Sequence, residues 1–136
     1  MTKKSLFNLI YWVLFAGAGF YFAYAKGWIL SDFQSLTPKE ANSLLQSDKE
    51  VVLLDVRTPD EFAQGHIEGS TLIPLQTLES NLALLSDAKN KKIIVYCHSG
   101  NRSVAASRIL VQNGFKPLNM KGGITAWTEA GFDLVR

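Results

Sequence analysis

Cysteine and net charge are both scarce in this chain of 136 residues. Cys97 is its one cysteine, which excludes an internal disulfide and a cysteine-rich metal site. Its 14 basic residues face 12 acidic ones, and Lys3 and Lys4 account for the whole difference. Because no basic stripe remains, we expect no nucleic-acid partner. The length allows a single domain with a modest core.

Charge is absent from residues 6–25, a run of 20 positions in which Asn8 is the one strongly polar side chain. Such a run is long enough to cross a hydrocarbon layer of about 30 Å. Lys3 and Lys4 ahead of it favour an N-terminus kept inside and a domain on the periplasmic side. We expect a single-pass anchor in the cell membrane. The alternative is a signal peptide cleaved after Ala25, which would release a soluble periplasmic domain.

The remaining chain alternates helix and strand signals. We divide it into a membrane or signal segment (1–25), a tether (26–36) and one domain (37–136). Thr37 and Thr58 are each followed by proline and then by glutamate at the third position, the pattern of a capping box that begins a helix. Leu75, Leu78, Leu82 and Leu85 predict one amphipathic helix, and Asn113-Gly114 predicts the end of another. Strands are predicted at Val51–Val56, Thr71–Ile73, Ile93–Tyr96 and Lys116–Met120. This alternation predicts an α/β fold with a mainly parallel sheet covered by helices on both faces.

The stretch Ile93–Ser103 is the centre of this prediction. Ile93–Tyr96 is apolar and β-branched, as expected of a buried strand in the middle of the sheet. It leads into a short polar loop and a helix that begins near Arg102 or Ser103. Cys97 therefore lies at the carboxyl end of a strand and at a helix N-terminus, where the ligands of parallel sheets bind.

This position favours thiolate chemistry. The first N–H groups of a helix lack internal partners, so a tight loop closing on them forms an anion cradle. Gly100 lets the backbone turn, and Arg102 adds a positive charge. The cradle would activate Cys97 and hold an oxyanion beside it. A cysteine after an apolar strand is otherwise most often an inert core residue.

The number of residues between the cysteine and the arginine distinguishes the families that use such a cradle. Cysteine-dependent phosphatases need Cys-x5-Arg, whereas Cys97 to Arg102 is Cys-x4-Arg. The shorter loop resembles Cys-Arg-x-Gly-x-Arg-Ser of the rhodanese-like sulfurtransferases. Leu53–Pro74 resembles the first motif of that family, Asp-Val-Arg-x-x-x-Glu-Phe followed by Gly-His-Ile-x-Gly-Ala and Ile-Pro. Gly122–Phe132 resembles its last, Gly-Gly-x-x-Ala-Trp followed by Gly-Phe. These motifs cover roughly residues 36–136, and we identify the domain 37–136 as rhodanese-like.

The resemblance implies roles for individual residues. Cys97 would be the nucleophile. The residues that would bind substrate are His98, Ser99, Gly100, Asn101, Arg102 and Ser103. The residues that would support the site are Asp55, Arg57, Glu61 and His66. We expect Arg57 to reach Glu61 and fix the helix that follows. His98 stands where many members have arginine, and a neutral imidazole attracts a dianion less strongly.

The function implied is sulfur transfer in two steps. Cys97 would take a sulfane sulfur from a small anionic donor such as thiosulfate and pass it, as a persulfide, to cyanide or a thiol. With no second cysteine in the chain, the acceptor must be external. We expect no metal and no cofactor, and the oligomeric state stays open. The alternative is a membrane-tethered thiol that senses redox state or binds a partner with little turnover.

Overall fold

The computed structural model describes residues 2–29 and 32–136, which belong to two compact units. Met1 of the predicted anchor and residues 30 and 31 of the predicted tether lie outside the described residues. The first unit contains one helix, α1 (Lys3–Ala25), capped by Thr2, whose side chain accepts a hydrogen bond from the Ser5 N–H at 3.2 Å. Within the described residues, α1 is the one helix long and apolar enough to cross a membrane. By length and composition α1 fits a signal sequence as well as a membrane anchor.

The second unit is built on a sheet of five parallel strands in the order β1-β5-β4-β2-β3. The strands are β1 (Gln34–Leu36), β2 (Val52–Asp55), β3 (Thr71–Leu72), β4 (Lys92–Tyr96) and β5 (Lys116–Met120). The predicted α/β fold with a parallel sheet is confirmed, and β4 is the middle strand, as expected. The carboxyl end of β4 therefore opens in the centre of the sheet edge at which ligands bind.

Strand β1 was not predicted. It comes from the last three residues assigned to the tether and pairs in parallel with β5, from Gln34 opposite Leu118 to Leu36 opposite Met120. Its sequence, Gln-Ser-Leu, has no apolar run, and Gln34 is exposed. Edge strands this short carry too little hydrophobic pattern to be recognised from sequence.

Both predicted capping boxes are present. Thr37 accepts a hydrogen bond from the Glu40 N–H at 3.2 Å, and Thr58 accepts one from the Glu61 N–H at 3.3 Å. In each box the glutamate side chain reaches back to the threonine N–H, so two unpaired helix donors are satisfied. The α-helices of this unit are α2 (Pro38–Ser47), α3 (Pro59–Gln64), α4 (Asn101–Gln112) and α5 (Gly123–Glu129).

The prediction of a single leucine-rich helix between β3 and β4 is wrong. The segment forms two 3₁₀ helices, Leu75–Thr77 and Glu79–Ala88, and the second is interrupted at Asn81, whose φ is −120°. Residues three apart lie on one face of a 3₁₀ helix, which matches the spacing from Leu75 to Leu78 and from Leu82 to Leu85. From Leu78 to Leu82, on either side of Asn81, the spacing is four. The leucines still point inward, and Leu78 and Leu85 are buried.

Alternate residues of the strands feed two hydrophobic clusters, one on each face of the sheet. One cluster joins β2 and β4 to α4 and the 3₁₀ helices, and it includes Val95, Cys97 and Leu110. The other joins β4 and β5 to α2 and α5, and it includes Tyr96 and Trp127. The sequence of a strand that is covered on both faces is a continuous apolar run, and this run predicts β4 clearly.

Candidate active site

Cys97 follows β4 directly and lies four residues before the start of α4. Its side chain is 1% exposed. The Gly100 N–H donates a hydrogen bond to Cys97 Sγ at 3.1 Å, and Sγ lies 3.5 Å from Ser103 Oγ. Gly100 has a φ of 104°, a backbone conformation that residues with a Cβ rarely adopt. A backbone donor, a hydroxyl and the first turn of α4 therefore surround one sulfur atom.

The other loop residues divide by exposure. His98, Ser99 and Asn101 are exposed, whereas Ser103 is fully buried and Arg102 is partly buried. The helix that follows begins at Asn101, slightly earlier than the sequence predicted. The buried thiol therefore belongs to a loop whose exposed side chains are polar.

Asp55 and Arg57 form a buried ion pair beside the loop. Arg57 donates from Nη2 to Asp55 Oδ2 at 2.7 Å and to the Gly65 carbonyl oxygen at 2.7 Å. The Arg57 backbone N–H also donates to Asp55, at 2.9 Å. Asp55 is 0% exposed and Arg57 is 4% exposed. Burial by itself would lower the pKa of Arg57, but the hydrogen bonds to Asp55 and its charge outweigh burial and raise that pKa.

The prediction that Arg57 contacts Glu61 is wrong, because Glu61 pairs with Arg102 instead. Arg102 donates from Nη1 to Glu61 Oε1 at 2.7 Å and from Nη2 to Oε2 at 2.8 Å. This bidentate pair connects α3 to α4 across 41 residues of sequence. The hydrogen bond from Arg102 is the main reason that the pKa of Glu61 falls from 4.5 to about 2. The same bond raises the pKa of Arg102.

A pocket of about 370 Å³ opens beside the loop. Its size is near the lower end of the range for sites that bind small organic molecules. Among the described residues, no group of three or more histidines, cysteines or carboxylates could hold a metal ion. The residues that line the pocket are Arg57, Glu61, Gln64, Gly65, His98, Arg102, Ile124 and Leu134.

The profile of the rhodanese-like domain family matches residues 37–130 of the chain. The chain belongs to this family. A sulfurtransferase of Allochromatium vinosum is 34% identical over 105 residues, which are 76% of this chain and 92% of that protein. A rhodanese-related protein of Thermoplasma volcanium superposes with a TM-score of 0.69 at 34% identity, covering 76% of this chain and 98% of the other. A thiosulfate sulfurtransferase of Pseudomonas aeruginosa superposes with a TM-score of 0.72 at 28% identity, and the match covers 84% of this chain and 23% of that one.

In this rhodanese-like domain the loop that carries Cys97 rests on the start of α5. The Cys97 carbonyl oxygen accepts from the Ile124 N–H at 2.8 Å, and the His98 carbonyl oxygen accepts from the Thr125 N–H at 3.1 Å. Gly123 has a φ of 58°, and a Cβ built there would collide with the Cys97 carbonyl oxygen. Sequence reasoning treated the Gly122-Gly123 pair as a motif and missed its role in this close approach. Two adjacent glycines before a short helix were the available signal.

His66 packs against Phe62 of α3 and pairs with Val135. Its Nδ1 is 2.9 Å from the Phe62 carbonyl oxygen, and its ring stacks on that of Phe62 with centroids 3.7 Å apart. Its backbone pairs with Val135 through two hydrogen bonds of 2.9 and 2.8 Å. The side chain is half-buried and does not line the pocket beside Cys97.

Proposed function

We propose that this protein is a sulfurtransferase that carries sulfur as a persulfide on Cys97. The observation that carries the proposal is the geometry of the thiol, which accepts a hydrogen bond from the Gly100 N–H at 3.1 Å at the N-terminal end of α4. A thiolate or persulfide anion is stabilised by such donors. Family membership and the relatives named as sulfurtransferases support the same reaction.

In the first step the Cys97 thiolate attacks the outer sulfur of a sulfane donor such as thiosulfate. The sulfur–sulfur bond of the donor breaks, and sulfite leaves with the electron pair. The product is Cys97 persulfide, whose terminal sulfur carries the negative charge. Gly100 N–H and the first turn of α4 stabilise that charge without moving, because the loop already holds them in place.

In the second step an external nucleophile attacks the terminal sulfur of the persulfide. Cyanide gives thiocyanate, and a thiolate gives an organic persulfide. In both cases the electron pair of the breaking bond returns to Cys97, so the thiolate is regenerated and no redox cofactor takes part.

The loop side chains complete the proposed site. His98, Ser99 and Asn101 contact the substrate from their exposed positions, and the Ser103 hydroxyl lies 3.5 Å from the sulfur. Arg102 lines the pocket, and because Glu61 balances most of its charge, the loop N–H groups provide most of the attraction for an anionic donor. Asp55, Arg57, Glu61 and His66 fix the backbone around the pocket through the contacts described above.

The proposal is tested by the intact mass of the full chain in detergent before and after treatment with thiosulfate. We expect a gain of about 32 Da, one sulfur atom, which cyanide then removes. Cys97→Ser is the control and should show no gain while keeping the thermal unfolding temperature of the wild type. No gain from thiosulfate or from an organic persulfide would refute the proposal. Adducts of glutathione or oxygen alone would indicate the redox-sensing alternative.

We also propose that α1 anchors the chain, with a tether up to residue 33 and the domain beginning at β1. The apolar helix Lys3–Ala25 and the lysines at its start support an anchor with the domain on the periplasmic side. Membrane fractionation followed by N-terminal sequencing tests this placement. A soluble mature chain that begins at Lys26 would show that α1 is a signal peptide instead.

A further inference from the structure

Three exposed lysines, Lys89, Lys92 and Lys116, cluster at the edge of the sheet where the parallel strands begin. Lys92 and Lys116 are the first residues of β4 and β5, and they lie opposite each other in the register of the sheet. Lys89 comes shortly before β4, and its Nζ is 4.9 Å from the centre of the Phe115 ring, next to Lys116. We call the surface that these three lysines form the amino edge.

The positive charge of the amino edge is not balanced internally. Among the described residues, neither Lys92 nor Lys116 forms an ion pair. Lys89 donates to the Asn113 carbonyl oxygen at 3.0 Å. Like charges that face each other on neighbouring strands repel, so the pair of lysines does not stabilise the sheet. Local positive charge without an internal carboxylate favours an anionic partner.

A pocket of about 350 Å³ lies beside these charges, and Lys92 and Lys116 both line it. Asp32 supplies the one carboxylate of its lining, and most of the other lining residues are apolar. Positive charge next to apolar surface is typical of protein surfaces that bind anionic lipids. The remaining lining residues are Phe33, Gln34, Val111, Phe115, Pro117 and Leu118.

The chain enters the domain at this pocket. Asp32 and Phe33 directly precede β1, and residues 26–33 connect β1 to α1. A connection of this length spans at most about 30 Å when it is fully extended. A bilayer that holds α1 would therefore lie within that distance of the first residue of β1, which makes lipid the anionic partner nearest to the amino edge.

We infer that the amino edge binds the headgroups of anionic phospholipids in the membrane that holds α1, with Lys92 and Lys116 as the principal contacts. The inference goes beyond sulfur transfer and rests on the proposed anchoring by α1. The lysine ammonium groups contact the phosphodiester oxygens of the headgroups. Because Cys97 follows the other end of β4, lipid bound at the amino edge leaves the Cys97 loop at the far edge of the sheet.

The test uses the full chain reconstituted in vesicles of phosphatidylcholine alone or with about one third phosphatidylglycerol. Rates of lysine acetylation by the uncharged reagent N-acetoxysuccinimide are measured for each residue by mass spectrometry. We expect Lys89, Lys92 and Lys116 to react about fivefold more slowly with phosphatidylglycerol present, and about 1 M sodium chloride to remove this protection. Lys121, which is exposed and follows β5 at the opposite edge, should react equally in both vesicles.

Lys92→Gln/Lys116→Gln removes the two principal contacts, and Lys89 then serves as the reporter. The protection of Lys89 by phosphatidylglycerol should disappear in this variant. Lys39→Gln/Lys121→Gln is the matched control, because it removes the same charge from exposed positions that follow β1 and β5 at the opposite edge. It should leave the protection of Lys89 as in the wild type.

The outcomes separate the inference from the proposals on which it rests. Equal acetylation rates of Lys92 and Lys116 in the two kinds of vesicle would overturn the inference and leave the anchor intact. Equal protection by inorganic phosphate in phosphatidylcholine vesicles would assign the amino edge to free anions and overturn the lipid assignment. Failure of the chain to float with the vesicles after a carbonate wash would overturn the anchor, and the inference with it. Sulfur transfer is tested separately by the mass gain with thiosulfate.

Discussion

The two guanidinium–carboxylate pairs beside Cys97 differ in burial and in sequence separation. Asp55 and Arg57 are two residues apart and almost wholly buried, whereas Glu61 and Arg102 are 41 residues apart and about 30% exposed. The first pair shapes one turn after β2. The second connects two helices at the pocket rim, within reach of solvent and substrate. From this comparison we expect Asp55–Arg57 to act on stability, and Glu61–Arg102 to act on stability and on the charge that a substrate would meet.

Removing Asp55 should have the largest effect. Asp55→Ala leaves the buried Arg57 guanidinium without its carboxylate, and breaking a buried pair on one side costs about 3–5 kcal/mol of unfolding free energy. Urea denaturation of the full chain in detergent measures this loss. Glu50→Ala is the control, because its partner Lys91 is exposed and exposed pairs contribute about 0–1 kcal/mol. Equal losses for the two variants would contradict the distinction drawn between buried and exposed pairs.

Neutralising Glu61 should have a smaller and mixed effect. Glu61→Gln preserves the capping box with Thr58 but removes the charge that balances Arg102. We expect a loss of about 1 kcal/mol in stability and a thiosulfate KM roughly two- to fivefold lower, since Arg102 then attracts the dianion.

Glu40→Gln is the matched control for this change. Glu40 occupies the same place in the Thr37 capping box and does not line the pocket beside Cys97. Its thiosulfate KM should equal that of the wild type. A higher KM in Glu61→Gln would instead mean that Glu61 holds Arg102 in the position that binds thiosulfate.

The smallest expected effect is a pH dependence of the Glu61–Arg102 pair. The pKa of Glu61 is lowered from 4.5 to about 2 in the folded protein. The stability that this ionised group contributes is therefore fully present above about pH 4.5 and is lost as the pH falls to about 2. The difference in unfolding free energy between the wild type and Glu61→Gln should shrink across that window. A difference that stays constant would show that the charge of Glu61 does not stabilise the fold.

Most of the fold could be predicted from local sequence signals. The capping boxes at Thr37 and Thr58, the apolar run of β4 and the helix end at Asn113 are each encoded within a few neighbouring residues. Strand β1 could not be, because three mixed residues form a strand only when β5 is beside them. The leucine spacing between β3 and β4 fits an α-helix and interrupted 3₁₀ helices alike.

The sequence predicts which residues form the candidate site more accurately than it predicts which of them contact each other. Arg57 and Glu61 are four residues apart, the spacing of neighbours on a helix, which made them a natural pair. Arg57, however, lies outside the helix, one residue before the N-cap Thr58, whose backbone is extended. The real partner of Glu61, Arg102, lies on α4 and comes near it only in the folded chain. Leu134 was missed for the same reason, since only the folded chain brings it to the pocket that His98 and Arg102 line.

The loop that carries Cys97 is attached to α5 through its main chain. The carbonyl oxygens of Cys97 and His98 are bound by backbone N–H groups of α5, and these bonds do not depend on which side chains the loop carries. Exposed positions such as 98 and 99 are consequently open to substitution while the scaffold persists. Over evolutionary time, or in a directed library, donor preference can diversify at these positions with little risk to folding.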